Sequence, residues 1–282
     1  ANGTIVAAPA EFLAGLDVVF PVLHGPYGED GTVQGLLELG NVPYVGCGVT
    51  ASALAMDKIQ TKRVVESAGV RGPAWREVAA WRWTAEPAAV RAACAELGWP
   101  LFVKPANLGS SVGISRARDT AELDAALHEA VRWDRRVIVE AAVPNPREIE
   151  IALLGNDQPE CSVIGEIVPS AEFYDYEAKY LSGSSELIIP ADLEPDLAEQ
   201  VRQTALTIYG VLDLSGLARI DFLLPAGTSD LQFNEVNTLP GFTPHSMYPK
   251  LWEAAGLPYS QLLDRLLELA LERAAERRRL AG

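Results

Sequence analysis

Cysteine and histidine are scarce, three of each in 282 residues. Cys47, Cys94 and Cys161 are odd in number and far apart, which argues against a disulfide framework or a cysteine-built zinc site and for a reducing compartment. His24, His128 and His245 are equally scattered and fit no metal-ligand spacing. Long apolar runs are missing as well. The longest, such as residues 18–23, fall far short of the roughly 20 residues that cross a bilayer. No charged segment followed by an apolar one opens the chain, as an export signal would. The sequence also lacks any excess of positive charge. A net charge of −15 leaves no cationic face for nucleic acid or an anionic membrane. A cytoplasmic protein with neither kind of partner is expected.

Lysine is rare even within the basic set, with five among 23 basic residues. Four of the five, Lys58, Lys62, Lys104 and Lys179, fall in the segments MDKIQTK, FVKPAN and EAKY. Lysine is a compact, mobile point charge suited to phosphate oxygens.

What the chain does contain is an alternation of strand and helix patterns, which predicts an α/β class. With 49% apolar and 22% charged residues, it can bury either one large fold or two to three small domains. Residues 16–23 and 42–45 read as strands around a helix at 32–39. Residues 51–67 carry helical spacing as one helix, closed by Gly69. Strands are predicted at 75–79, 101–103, 113–116 and 137–140, with helices at 86–97 and 121–133. A strand at 148–154, a polar and aromatic loop at 171–190, and a helix at 197–209 follow. Strands at 217–224 and 231–237 precede a last amphipathic helix at 259–278. The predicted units are residues 1–48, 49–141 and 142–282.

The segments GLARIDFLL and LQFNEVN flank a turn-rich PAGTSD. Side chains alternate along a strand, so Arg219 and Asp221 share one face, as do Glu235 and Asn237. A hairpin centred near Thr228 sets Asp221 opposite Glu235 and Arg219 opposite Asn237, with opposed Cβ atoms about 4.5–5.5 Å apart. Two carboxylates that close repel each other unless a cation lies between them, and hard oxygen ligands, few in number, suit magnesium shared with nucleotide phosphates. Residues 108–113, LGSSVG, lie between two predicted strands. Their small side chains let backbone N–H groups close over phosphate oxygens, with Lys104 just upstream. No Walker A loop occurs. Residues 45–51, VGCGVTA, match a dinucleotide GxGxxA, but the acidic residue at the required distance, Glu66, falls inside a helical stretch, so that reading fails its context.

Taken in order, LHGPYGEDG (23–31), MDKIQTK (56–62), VKPANLGSSVG (103–113), FYDYEAKY (173–180), RIDF (219–222) and NEVNTLPGFTPHS (234–246) resemble the D-alanine–D-alanine ligases of the ATP-grasp superfamily. The resemblance covers nearly the whole chain. It implies an ATP-grasp fold preceded by a small parallel-sheet N-terminal domain, and a reaction that uses ATP and magnesium to join two D-alanines through an acyl phosphate. Two magnesium ions, replaceable by manganese, and a homodimer are expected.

The resemblance also implies roles for individual residues. Lys58 and Lys104 match lysines that contact ATP phosphates. Glu140, Ala141 and Val143 match the adenine-binding segment, and Glu148 the ribose contact. Ser111, Lys179 and Asn234 join the nucleotide-binding set. Asp221, Glu235 and Asn237 match the metal ligands. Arg219 and the backbone of Gly241 match groups that stabilise the tetrahedral intermediate. His24, Ser246 and Met247 fall on the substrate side, the last two where the second substrate's carboxylate binds. Ser110, Lys179 and Tyr180 match contacts of a lid, expected over residues 172–190.

Two departures from the family pattern stand out. Its opening strand and glycine-rich turn are absent ahead of Ala1, so the natural protein is expected to extend upstream. The stretch Val143-Pro144-Asn145-Pro146 is also richer in proline than the pattern. A D-alanine–D-lactate ligase and a non-catalytic nucleotide-binding ATP-grasp protein are the alternatives. Tyr180 favours the dipeptide enzyme over the first, and the complete set of Lys104, Arg219, Asp221, Glu235 and Asn237 argues against the second.

Overall fold

The computed structural model describes residues 15–109, 112–168, 186–243 and 245–280. Among the described residues, two antiparallel sheets form the framework. The first has the order β1-β4-β2-β3, built from β1 (Trp75–Ala79), β2 (Leu101–Pro105), β3 (Ser115–Ala117) and β4 (Arg136–Ala141). One of its faces is apolar because Leu101 and Val103 alternate in phase with Val137 and Val139. That face is covered by three helices, α4 (Ala80–Ala85), α5 (Pro87–Ala95) and α6 (Thr120–Ala130). The opposite face presents Phe102 and Lys104 from β2 and Ile138 and Glu140 from β4, in the register Phe102↔Glu140 and Lys104↔Ile138.

The second sheet has the order β7-β6-β5-β8-β9, from β5 (Pro146–Gly155), β6 (Glu160–Val168), β7 (Glu186–Ile188), β8 (Gly216–Pro225) and β9 (Gln232–Asn237). Alternation splits β5 and β8 between two cores. Ile149, Ile151 and Leu153, with Ala218, Ile220, Phe222 and Leu224, face helix α7 (Pro195–Val211). Residues Leu197, Val201, Ala205 and Ile208 form the buried stripe of α7, at the three- and four-residue spacing of one helix face. Ala152, Leu154 and Leu217 face the other way, against α8 (Met247–Ala254) and α9 (Tyr259–Leu280). Among the described residues no helix is long and apolar enough to cross a membrane.

Three local expectations are corrected. Residues 51–67 are not one helix. α2 (Val49–Met56) stops at Asp57, whose extended backbone breaks the run and whose carboxylate accepts from the Ile59 and Gln60 amides to start α3 (Lys58–Ser67). An aspartate that caps the second helix cannot also continue the first. Residues 16–23 and 42–45 form a single parallel bridge, Val19↔Tyr44, instead of full strands. Pro21 and Pro43 remove ladder donors from both stretches. The predicted loop at 171–190 lies mostly outside the described residues, but its end is strand β7, paired with β6. Helix α1 (Thr32–Leu39) matches the reading, whereas β6, α4 and α8 carried no sequence signal that was recognised.

Candidate active site

The hairpin of β8 and β9 has the register expected, with Asp221 opposite Glu235 and Arg219 opposite Asn237. Between Asp221 and Phe222 the pairing slips by one residue, leaving Asn234 as the extra residue of a β-bulge. A bulge re-aims side chains, and here both Asn234 and Glu235 line the same cleft of about 220 Å³. Strand β5 adds Glu150 opposite Asp221. Glu148, two residues earlier, lines the cleft as well.

The cation that relieves the carboxylates is, in part, Arg219. Its Nε and Nη2 donate to both oxygens of Asp221, at 2.8 and 2.7 Å. Nε also lies 3.0 Å from Glu150, and Asn237 Nδ2 donates to Asp221 at 3.0 Å. Burial opposes the guanidinium charge, yet Asp221 and Glu150 outweigh it and hold the Arg219 pKa well above its usual value. Among the described residues no group of three or more His, Cys, Asp or Glu side chains is arranged to hold a metal. Two carboxylates and an amide oxygen nonetheless suit a hard cation that takes its remaining ligands from phosphate and water, as magnesium does. The donor set fits such an ion once Arg219 yields an Asp221 oxygen.

Lys104 faces this wall from the first sheet. Burial works against its charge, but Glu140 outweighs it and raises the pKa, with Glu235 and Glu148 adding to the pull. Glu140 is bridged by two lysines, Lys62 at 2.6 Å and Lys104 at 2.5 Å. Burial alone would raise its pKa. The two ammonium groups reverse that and hold the carboxyl down at about 2. Lys58, at the start of α3, reaches across to donate to the Leu108 carbonyl at 2.5 Å, at the threshold of the small-residue loop. Ala141 ends β4 and Val143 follows in the connection to β5.

The floor of the cleft comes from the turn after β9. Gly241 lies against Ser246, and a Cβ there would come within 2.9 Å of Ser246 Oγ, so a larger residue would make that side chain shift. Ser246 is the N-cap residue of α8. A helix N-terminus is a ready site for an anionic group. Met247 is 4% exposed and part of the core, yet it also lines the cleft. From the N-terminal region His24 Nδ1 pairs with the Leu239 carbonyl at 3.0 Å. The positions of Ser110, Ser111, Lys179 and Tyr180 lie outside the described residues.

Two residues, Glu29 and Glu150, escaped the sequence reading, and a third, Lys62, was read without its partner. Glu29 accepts from the Gly25 amide at 2.6 Å and the Leu239 amide at 3.3 Å. Burial pushes its pKa up against the lowering pull of Gly25, His24 and Leu239. Gly25 has φ 74°, a left-handed turn that points its N–H back at Glu29. Glu150 could have been found by extending the alternation one step from Glu148. Lys62 lay in a segment already singled out, but only the fold shows its partner. A more capacious cleft, about 760 Å³, lies between the β5–β6 turn and helices α8 and α9 and contains none of these residues.

The family profile described as "D-ala D-ala ligase C-terminus" matches residues 64–268, and that described as "D-ala D-ala ligase N-terminus" matches residues 3–47. A D-alanine--D-alanine ligase of Deinococcus radiodurans is 57% identical over 272 residues, spanning 96% of this chain and 80% of that relative. One of Geobacillus kaustophilus is 55% identical over 93% of this chain and 71% of the relative. Among solved structures, the D-alanine-D-alanine ligase from Coxiella burnetii superposes with TM-score 0.82 at 40% identity, covering 94% of this chain and 70% of that one. The VanG D-Ala:D-Ser ligase from Enterococcus faecalis superposes with TM-score 0.81 at 42% identity, over 90% of this chain and 73% of that one. The ATP-grasp architecture expected from the resemblance is the architecture observed. With both profiles matched in order and more than half of the residues shared with curated members, this chain belongs to the D-alanine–D-alanine ligase family.

Proposed function

We propose that the protein joins two D-alanines at the expense of ATP, supplying a dipeptide for cell-wall synthesis. The observation that carries this reading is the partly buried hairpin face on which Arg219, Asp221, Glu235 and Asn237 meet. It looks into a cleft lined by Glu148 and Glu235, and both of these carboxylates act on Lys104. In the first step a carboxylate oxygen of one D-alanine attacks the γ-phosphorus, a new P–O bond forms, and the bond to ADP breaks. In the second step the neutral amine of the other D-alanine attacks the acyl carbon, a C–N bond forms, the C–O bond to phosphate breaks, and the nitrogen releases one proton. Held by Asp221, Glu235 and Asn237, a divalent ion would neutralise charge on the phosphate oxygens.

The chain's own residues divide the remaining work. Lys58 and Lys104 hold phosphates, and Glu140, Ala141, Val143, Glu148, Asn234 and Ser111 hold the rest of the nucleotide. Arg219, once drawn from Asp221, is placed to stabilise the tetrahedral oxyanion together with the Gly241 backbone. His24 orients the first D-alanine. Ser246 and the Met247 backbone receive the second substrate's carboxylate. Ser110, Lys179 and Tyr180 close the site against water, which would hydrolyse the acyl phosphate. Two magnesium ions, with manganese able to substitute, a homodimer, a cytoplasmic location and units at 1–48, 49–141 and 142–282 complete the proposal.

The test is phosphate release from ATP and magnesium with D-alanine, run beside D-alanine paired with D-lactate or D-serine, and beside L-alanine. The D-serine arm is prompted by the VanG structure. The expected result is release with D-alanine alone, and product of dipeptide mass. Release only when D-lactate or D-serine is present would replace the acceptor. No release in any arm would overturn the reading.

A further inference from the structure

We propose that Lys62 is a positioning residue for the nucleotide, holding Glu140 charged and oriented so that Lys104 is free to leave it for a phosphate. This inference rests on the reading of the cleft as a nucleotide site. Glu140 offers one oxygen to each lysine, Oε1 to Lys62 and Oε2 to Lys104. The two lysines are not equivalent. The Lys104 side chain is 16% exposed and lies within the field of Glu148 and Glu235. The Lys62 side chain is 4% exposed. Its Nζ is threaded past Gly72, where a Cβ would come within 3.3 Å, and lies 6.0 Å from the centre of the Phe233 ring. Among the described residues no hydrogen-bond acceptor other than Glu140 reaches that Nζ. Lys62 is therefore fixed, and Lys104 is the one able to move.

One lysine would suffice to neutralise one buried carboxylate. The second lysine is then the one available to another anion, since Lys104 is already drawn by Glu148 and Glu235 as well as by Glu140. When Lys104 turns to a phosphate, a carboxylate left alone would be a buried, unpaired charge. Lys62 prevents that, and Glu140 stays ionised at the end of β4 beside the segment that continues to Val143.

The experiment is a cycle of Lys62→Met, Glu140→Gln and the double variant, on the full-length protein. ATP binding is measured by calorimetry with magnesium, and steady-state kinetics are run for both substrates. Lys62→Met is expected to weaken ATP binding about tenfold or more. It should leave kcat at saturating ATP and the KM for D-alanine within about threefold of the parent. In the Glu140→Gln background, adding Lys62→Met should change ATP affinity by less than about twofold, since its partner is already neutral. A further tenfold loss in that background, or a D-alanine KM that rises in step with that of ATP, would overturn the inference. The background comparison still decides if Lys62→Met alone fails to fold. If the parent protein binds no ATP, the nucleotide reading falls and takes this inference with it. If the parent binds and Lys62→Met binds equally well, the role of Lys62 alone is rejected.

Discussion

At the scale of single residues, the site is a set of largely buried charges that compensate one another, Glu140 between two lysines and Arg219 between two carboxylates. Asp221 and Glu235 face each other across the hairpin with Arg219 and Asn237 bonded to Asp221. Asp221→Asn or Glu235→Gln should lower phosphate release by about a hundredfold or more, because each removes a hard-oxygen ligand charge. The near-isosteric changes should leave the thermal midpoint within a few degrees, and turnover near the parent level in both variants would exclude the assignment. Glu140 makes a second prediction, about pH. Burial raises its pKa, the two lysines lower it further, and the net result is about 2 against an ordinary 4.5. A depressed carboxylate stabilises the fold fully above its unfolded pKa and loses that contribution as pH falls toward the folded value. Stability on the order of 3 kcal/mol should therefore disappear between about pH 5 and pH 2. Urea midpoints of the parent and of the uncharged Lys62→Met/Glu140→Gln pair check this. The pair should show a shallower acid slope, and identical slopes would refute the linkage.

At the scale of elements, the break between α2 and α3 is the feature most dependent on one side chain. Asp57 caps α3 through the Ile59 and Gln60 amides and is also ion-paired with Arg136 on β4. It thus ties the helix that carries Lys58 and Lys62 to the strand that carries Glu140. Asp57→Ala should cost about 2 kcal/mol, the upper end of the range for a lost cap, because the ion pair is lost with it. Urea unfolding should show the same loss with and without Arg136→Ala only if the ion pair contributes nothing. A smaller loss in the Arg136→Ala background is the expected outcome. The bulge at Asn234 acts at the same scale. It breaks the strict two-residue period so that adjacent residues Asn234 and Glu235 line one cleft.

At the scale of the whole molecule, the N-terminal region must be held at a set distance from the sheet that carries the hairpin. Contacts at two places do this. At the cleft, Glu29 and His24 bond to the backbone of Leu239. Behind it, Arg273 of α9 donates to the carbonyls of Gly46 and Tyr44 and to Ser215 Oγ, with its guanidinium 4.4 Å from the centre of the Tyr44 ring. Cys47 adds a thiol that accepts from the Ser215 amide at 3.4 Å. Burial pushes its pKa up to about 11, so it acts as a neutral thiol. Arg273→Ala should raise the KM for D-alanine by about five- to tenfold while leaving that for ATP within about twofold, because the displaced region carries His24 and no nucleotide contact. Hydrogen exchange should quicken at Val19 and Val45, the two amides of the parallel bridge that donate to Pro43 and Val19. Parallel changes in both KM values would show that the joint does not act on the amino-acid side alone.

Local chemistry alone determined most elements and half of the site. The spacing of apolar residues is enough to place helix α7, the long helix α9 and the hairpin. The register of Asp221 against Glu235 follows from a period of two and a turn near Thr228, both local properties. Motif order was enough to identify the family. Tertiary structure decided the rest, for reasons that a linear pattern does not carry. The stop at Asp57 depends on a cap and on Arg136, 79 residues away. The pairing of Lys62 with Glu140 joins a helix to a strand 78 positions later, and nothing near either residue announces the other. Helix α8 has only eight residues and contains Pro249, so its amphipathic signal is too short to detect, although its first turn sets the floor of the cleft. The electrostatic state of the site was decided last. Whether a carboxylate is a metal ligand, a counter-ion or a proton carrier depends on its burial and its neighbours, and for Glu29 and Glu140 those neighbours are assembled only by the fold.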